Sequence, residues 1–354
     1  MVHTAQIVAG LGPGEYHQIF NRMVSGGKGK PYFHVQGCRF QGSEGITELW
    51  IYANKSQNNQ KWYYIKAIIN LAKLAGGGSG ELLESVSVSK MSSLVDNFRQ
   101  QIMELTGLPR LTDIAEWGVQ RIDYAIDLTV EHPELYIKLF QRGDIVRMSA
   151  RSISSDTGRS VRDENGSFRL NFYDKYSERL ANDPANASKW KNILRIEIQV
   201  KGQTHRCGDK LKTEGGVYAI KRGSKAQDKT LFTLLGDKRV LRFVRKKMIH
   251  YFYYKSCCVG KKSNPQCADY WKLSEIKKKI IPNEKNKALL KTLYDISKCK
   301  SVSHYNGDRA VIRKTKENLA KFGVNIITIP AREKVGHLEN IFDKFLEKTN
   351  IYLK

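Results

Sequence analysis

An α+β fold is predicted, with an antiparallel sheet and helices on one of its faces over residues 1–201. A basic, mainly helical region over residues 202–354 follows. Three observations predict this division. Three segments alternate apolar and polar residues with period two, the pattern of strands with one dry face. At least one stretch between the predicted strands has helical spacing instead. Positive charge is also unevenly placed: residues 1–201 carry a net +4 and residues 202–354 a net +21.

Taken in order, the first strands fall within residues 32–69. Tyr32–Phe40, Glu48–Ala53 and Lys61–Ile69 are short runs rich in aromatic and β-branched residues, and a polar turn separates the last two. Gly76 to Gly80 reads as a hinge or loop, without the spacing of a nucleotide-binding glycine loop. Ser92–Thr106 reads as an amphipathic helix, with Leu94, Phe98, Ile102 and Leu105 on one face. Gly107 follows as its cap and Pro109 as its stop.

The three alternating segments come next. Arg121–Leu128 places Ile122, Tyr124, Ile126 and Leu128 on a dry face, and Arg121, Asp123, Ala125 and Asp127 on the other. Phe168–Lys175 sets Phe168, Leu170 and Phe172 against Arg169, Asn171, Tyr173 and Lys175. Leu194–Lys201 sets Leu194, Ile196, Ile198 and Val200 against Arg195, Glu197, Gln199 and Lys201. If the strands are neighbours, one surface gathers two carboxylates, a tyrosine and several cations. The same alternation also suits a half-exposed sheet with cross-strand ion pairs.

The composition narrows the function. The chain of 354 residues carries 60 Lys+Arg against 35 Asp+Glu, a net +25. A field of this size suits a phosphate backbone. The 41% hydrophobic content is enough for a core, which excludes wholesale disorder. No stretch reaches the roughly 18–20 apolar residues of a membrane helix. The longest candidate, Tyr63 to Ala75, is interrupted by Lys66 and Lys73, so no membrane partner is expected. The N-terminus has no basic region followed by an apolar run, and six irregularly spaced cysteines make no disulfide framework. A cytoplasmic location is expected.

Two carboxylates on facing strands can hold one Mg²⁺ or Mn²⁺, which favour oxygen ligands. A tyrosine beside such a metal can attack phosphorus and form a phosphotyrosine, if a cation helps it ionise. Tyr173 is the candidate nucleophile, with Lys175 and Arg169 supplying positive field. Asp123 and Glu197 are the candidate metal pair. Asp127 is a weaker third, because it lies about 13 Å along the strand from Asp123 at roughly 3.3 Å per residue. No His-hydrophobic-His pair is present, which leaves the metal to carboxylates.

In order and spacing, Arg121-Ile122-Asp123, Phe172-Tyr173-Asp174-Lys175 and Leu194-Arg195-Ile196-Glu197 resemble the rolling-circle replication initiators. The similar branches are the Gram-positive plasmid initiators of the Rep-trans kind and the filamentous-phage replication endonuclease. The resemblance covers about residues 115–201, and more loosely the N-terminal third. It implies that Tyr173 nicks one strand of a double-stranded origin and stays joined to the 5′ phosphate. Asp123 and Glu197 are implied as metal ligands, with Asp127 matching only the plasmid branch. It also implies a host helicase as partner. A homodimer is left open. Tyr176 is read as a helix residue packing with Leu180, Asp174 as that helix's cap, and Tyr176 as a second nucleophile only in principle.

In the basic region, Leu241–Tyr254 interleaves Arg242, Arg245, Lys246 and Lys247 with aromatics, a pattern for holding phosphates and stacking bases of single-stranded DNA. With Arg121 and Arg195 these are the candidate DNA contacts. A core-forming amphipathic helix is the competing reading. Cys257, Cys258, Cys267 and His250 lack zinc spacing. Lys287–Lys298 and Arg309–Phe322 are predicted helices, with Gly323 as a cap. A DNA-reading helix-turn-helix is one reading. A helical hairpin is favoured, because the turn of about ten residues exceeds the usual three or four. The expectation is therefore a site-specific nicking-closing endonuclease that initiates plasmid or phage replication. A binding protein without the chemistry and a conjugative relaxase are the alternatives.

Overall fold

The computed structural model describes residues 2–26, 29–32, 37–42, 44–55, 61–78, 80–84, 87–143, 150–153, 160–164, 168–201, 211–214, 217–222, 225–228, 231, 235, 242, 268–280, 284–300, 302–305 and 309–353. The fold is α+β, with a large antiparallel sheet and helices. Ten strands join this sheet: β1 (Val2–Leu11), β2 (Gly29–Tyr32), β3 (Gly37–Gln41), β4 (Ile46–Lys55), β5 (Lys61–Asn70), β6 (Gly118–Thr129), β7 (Ala150–Ile153), β8 (Ser160–Glu164), β9 (Phe168–Asp174) and β10 (Ile193–Lys201). Their order is β2-β3-β4-β5-β1-β6-β10-β9-β8-β7. The three alternating segments are therefore neighbours, with β10 between β6 and β9.

The chain forms two compact units that interleave along the sequence. The first comprises residues 1–125, 166–169 and 197–240, and the second residues 126–165, 170–196 and 241–354. Residue 201, where the sequence pattern divides the chain, falls inside a segment of the first unit.

In the first unit, β1 pairs antiparallel with β5 and with β6, the latter through two register shifts. Helices α1 (Pro13–Ser25), α2 (Leu71–Leu74) and α3 (Val88–Thr106) cover the sheet face made by Ala5, Ile7, Leu49, Ile51, Ile65, Ala67 and Ile69, all of them buried. Helix α3 buries Leu94, Phe98, Ile102 and Leu105, the face its spacing predicts. Each such side chain contributes about 1.5–3 kcal/mol when fully buried. Ser87 caps its start by accepting from the Lys90 amide, and Gly107 ends it at φ 70°, a conformation favouring glycine. Phe98 meets Trp117 edge to face at 5.6 Å, and the Trp117 indole donates to the Leu111 carbonyl. A small sheet of β11 (Leu211–Glu214), β12 (Val217–Arg222) and β13 (Lys225–Asp228) also belongs to this unit.

In the second unit, α4 (Pro133–Arg142) buries Leu135, Tyr136, Ile137, Leu139 and Phe140, and Phe140 packs on Phe172 of β9 at 4.6 Å. The same helix ties down the C-terminal segment. Arg142 donates to the carbonyls of Thr328 and Ser297, Lys138 pairs with Glu333 at 2.8 Å, and the Tyr136 hydroxyl donates to the Glu339 carbonyl. That segment is mainly helical among the described residues: α6 (Leu273–Lys279), α7 (Glu284–Lys298), α8 (Arg309–Ala320) and α9 (Phe342–Leu353), with a two-residue pairing of β14 (Tyr270–Trp271) and β15 (His337–Leu338). The helices predicted over 287–298 and 309–322 correspond to α7 and α8, and Gly323 sits at φ 67°. Helix α5 (Lys175–Asn182) follows β9 directly, capped by Asp174, which accepts from the Tyr176 amide and the Ser177 hydroxyl.

Candidate functional site

Two clusters of polar side chains stand on these strands. In the first unit, Asp123 of β6 is 1% exposed although alternation places it on the wet face. It is buried because polar neighbours close over it. Arg121 donates to both its oxygens at 2.9 Å, the Thr4 hydroxyl of β1 donates to Oδ2, and the Gln199 amide of β10 approaches Oδ2 at 3.4 Å. Gln199 also donates to Glu197 Oε1 at 3.1 Å, so one amide bridges the two candidate metal carboxylates. Burial pushes the Asp123 carboxyl up to about 6; the Arg121 charge opposes this and the Glu197 charge adds to it. His3 stands beside Glu197, with Nδ1 3.7 Å from Oε2. Arg169 donates to Gln199 Oε1 at 3.2 Å, holding the amide that bridges the pair.

Both Asp123 oxygens are already engaged by Arg121, Thr4 and Gln199, so a hard cation here would have to displace one of these donors. Asp123 and Glu197 would be the protein's ligands, which matches the way Mg²⁺ uses one or two carboxylates and completes its shell with water and phosphate. Among the described residues no group of three or more His, Cys, Asp or Glu converges on one point as a metal cage.

In the second unit, the cluster is built around Arg195 of β10, whose side chain is fully buried. Its Nε donates to Asp127 Oδ1 at 2.6 Å and a terminal nitrogen donates to Oδ2 at 2.7 Å, a two-point fork. Tyr173 also interacts with Arg195, and its effect is to raise the guanidinium pKa. Burial disfavours the guanidinium charge, but Asp127 and Tyr173 together more than offset this. Asp127 therefore serves Arg195 with both of its oxygens.

Tyr173, next to last in β9, is 8% exposed. Lys175 begins α5, so it is not a strand residue two positions on. Its ammonium nonetheless lies 5.7 Å above the Tyr173 ring and 5.5 Å above Trp190, and it pairs with Glu178 at 2.6 Å. Burial lowers the Lys175 pKa to about 8, helped by the charge of Arg195 and opposed by Glu178. The Arg195 guanidinium also lies over Trp190, at 5.5 Å. Tyr176 does lie in the helix, but its ring sits under the Lys191 ammonium at 5.9 Å, and Leu180 is 43% exposed.

Sequence reasoning singled out Asp123, Asp127, Arg169, Tyr173, Lys175, Arg195 and Glu197, and the two clusters contain all seven. It passed over Thr4, His3 and Trp190, and gave no role to Gln199, which it placed on the polar face of its strand, or to Glu178. Ala5, Ile7 and Ala9 alternate in β1, and that signal could have placed Thr4 on a strand. Trp190 lies in a 3-10 stretch, Pro184–Trp190, which has no period to read. Arg242 is exposed, whereas Arg245, Lys246 and Lys247 lie outside the described residues, as do His250, Cys257, Cys258 and Cys267. No helix among the described residues is long and apolar enough to cross a membrane. Comparison of the chain with protein-family models, with curated proteins and with solved structures finds no match.

Proposed function

We propose that the chain is a metal-dependent, site-specific single-strand DNA endonuclease and strand transferase, acting as a rolling-circle replication initiator of a plasmid or phage. The observation that carries this reading is the Arg195 fork. A buried guanidinium, locked by Asp127, interacts electrostatically with Tyr173, whose ring also lies beneath the buried Lys175 ammonium. A cation beside a phenol oxygen favours the anionic, nucleophilic form. A tyrosine that only packs has no need of such partners.

In the proposed reaction the Tyr173 oxygen attacks the scissile phosphorus. The bond from phosphorus to the 3′ oxygen breaks, leaving a 5′-phosphotyrosine and a free 3′ hydroxyl that primes synthesis. The phenolic proton is lost to solvent, and the leaving oxygen takes one up. Lys175 and Arg195 offset negative charge near the tyrosine. Asp123 and Glu197 would hold Mg²⁺ or Mn²⁺, which neutralises charge on the phosphoryl oxygens. A double-stranded origin, single-stranded DNA and a host helicase are the proposed partners, and the cytoplasm the proposed location.

The test is incubation with supercoiled DNA carrying the candidate origin, in Mn²⁺ and in EDTA. Metal-dependent open circles with covalently bound protein are expected, lost in Tyr173→Phe and kept in Tyr176→Phe. Nicking that survives Tyr173→Phe would move the nucleophile elsewhere. Tight origin binding without nicking would favour a binding protein.

A further inference from the structure

The sheet face of the first unit opposite α1 and α3 carries a patch of rings and cations outside both clusters. On β4 and β5, Leu49, Ile51, Ile65 and Ala67 point into the core, while Trp50, Tyr52, Tyr64 and Lys66 alternate with them and stay part-exposed. The register puts Trp50 opposite Lys66, Tyr52 opposite Tyr64, and Arg39 of β3 opposite Trp50. The Lys66 ammonium lies 4.6 Å from the centre of the Trp50 ring and 5.5 Å from that of Tyr52, and the Arg39 guanidinium lies 5.5 Å over Trp50. Tyr52 and Tyr64 stack at 5.4 Å. On the far side of Tyr64 the register places Gly10, exposed, with nothing within 4 Å of where a Cβ would stand. One edge of the ring array is therefore open.

Charge is unbalanced here. Arg39 is matched by Glu48 at 2.6 Å, and Arg121 by Asp123. Lys66, half-buried, has no carboxylate within ion-pair distance among the described residues. Burial and the nearby Arg121 charge both lower its pKa, and the charge of Glu48 only partly opposes them. A half-buried ammonium that meets ring faces and no carboxylate among the described residues is short of an anion.

We propose that this face, centred on Trp50, Tyr52 and Lys66, binds single-stranded DNA, with unpaired bases stacked on the rings and a backbone phosphate on Lys66. Part-exposed rings accept any base with a free π-face, which a duplex does not offer. The cationic excess of the chain selects a polyanion over an apolar peptide. The inference extends the proposed function to a surface apart from the tyrosine, and rests on it only for the choice of nucleic acid as ligand.

The experiment measures binding of a fluorescein-labelled 20-nucleotide single strand in EDTA over a range of salt, with the duplex and the RNA of the same sequence in parallel. EDTA silences metal-dependent nicking, so failure of the catalytic reading leaves this result intact. Trp50→Ala is expected to weaken single-strand binding on the order of ten-fold, and Trp50→Phe to restore most of it. Lys66→Gln should lower the slope of log affinity against log salt by about one. Duplex affinity should stay within about two-fold, on the expectation that duplex contacts lie elsewhere. RNA bound as tightly as DNA would still support the surface, as one that reads single strands of either sugar. Unchanged single-strand binding in both Trp50→Ala and Lys66→Gln, with native circular dichroism, would overturn the proposal. An equal loss of duplex binding would overturn it too.

Discussion

Arg195 and Asp127 face each other across neighbouring strands, with two hydrogen bonds of 2.6 and 2.7 Å joining guanidinium to carboxylate. Removing the carboxylate leaves a fully buried cation uncompensated. Asp127→Asn is therefore expected to destabilise the protein by about 3 kcal/mol, seen as a lower urea midpoint. Nicking should fall with it, while Mn²⁺ affinity stays unchanged. A large loss of Mn²⁺ affinity would instead make Asp127 a ligand.

The carboxylate pair bridged by Gln199 gives a separate expectation. Mn²⁺ binding, followed by the loss of its free-ion electron paramagnetic resonance signal, should be weakened on the order of ten-fold or more in Asp123→Asn and in Glu197→Gln. Gln199→Ala removes the bridge without removing a charge, and should fall between these variants and wild type. Wild-type affinity in all three variants would place the metal elsewhere.

Lys175 gives a pH dependence whose sign is fixed. Its folded pKa, about 8, lies below the unfolded value near 10.5. Between these values the unfolded chain binds more protons, so this group makes stability rise with pH across that window. Well below pH 8 the buried ammonium costs the fold on the order of 3 kcal/mol. Lys175→Met should match or exceed wild-type stability at pH 7, and that advantage should shrink as pH climbs from 8 to 10. Urea titrations at four pH values would show it; a constant difference would mean that the ammonium titrates as if exposed.

Phe98→Ala is expected to cost about 3–5 kcal/mol, because the ring is fully buried and sits edge-on against Trp117. Thermal melting measures it directly. Near-ultraviolet circular dichroism should change as well, since the Trp117 environment loses its partner. Gly107→Ala should cost less, about 1 kcal/mol, for forcing a side chain to φ 70°.

What could be read from the chain was what local order encodes. Leu94, Phe98, Ile102 and Leu105 recur at helical spacing, and the glycine that ends their helix follows at once. β6, β9 and β10 alternate cleanly because each has two chemically different faces. The burial of Asp123 was not legible, since it depends on Thr4 and Gln199, which reach it from β1 and β10. Trp190 was missed for a related reason: an irregular turn places it under two cations, and no period announces such a residue. The interleaving of the two units is equally non-local. Residues 126–165 precede by a hundred positions the C-terminal segment that α4 fastens through Arg142 and Lys138.

The position of β1 between β5 and β6 sets a schedule for the nascent chain. Its apolar residues Ala5 and Ile7 are synthesised before either neighbour, yet they face Ile69 and Ala67 on one, and Ile122 and Val119 on the other. At roughly 5–20 residues per second, synthesis reaches the second neighbour on the order of ten seconds later. Throughout that interval an aliphatic strand has at least one unpaired edge, open to the wrong partner. Slow translation before residue 118 would prolong the exposure, and a holding chaperone would shorten its consequences.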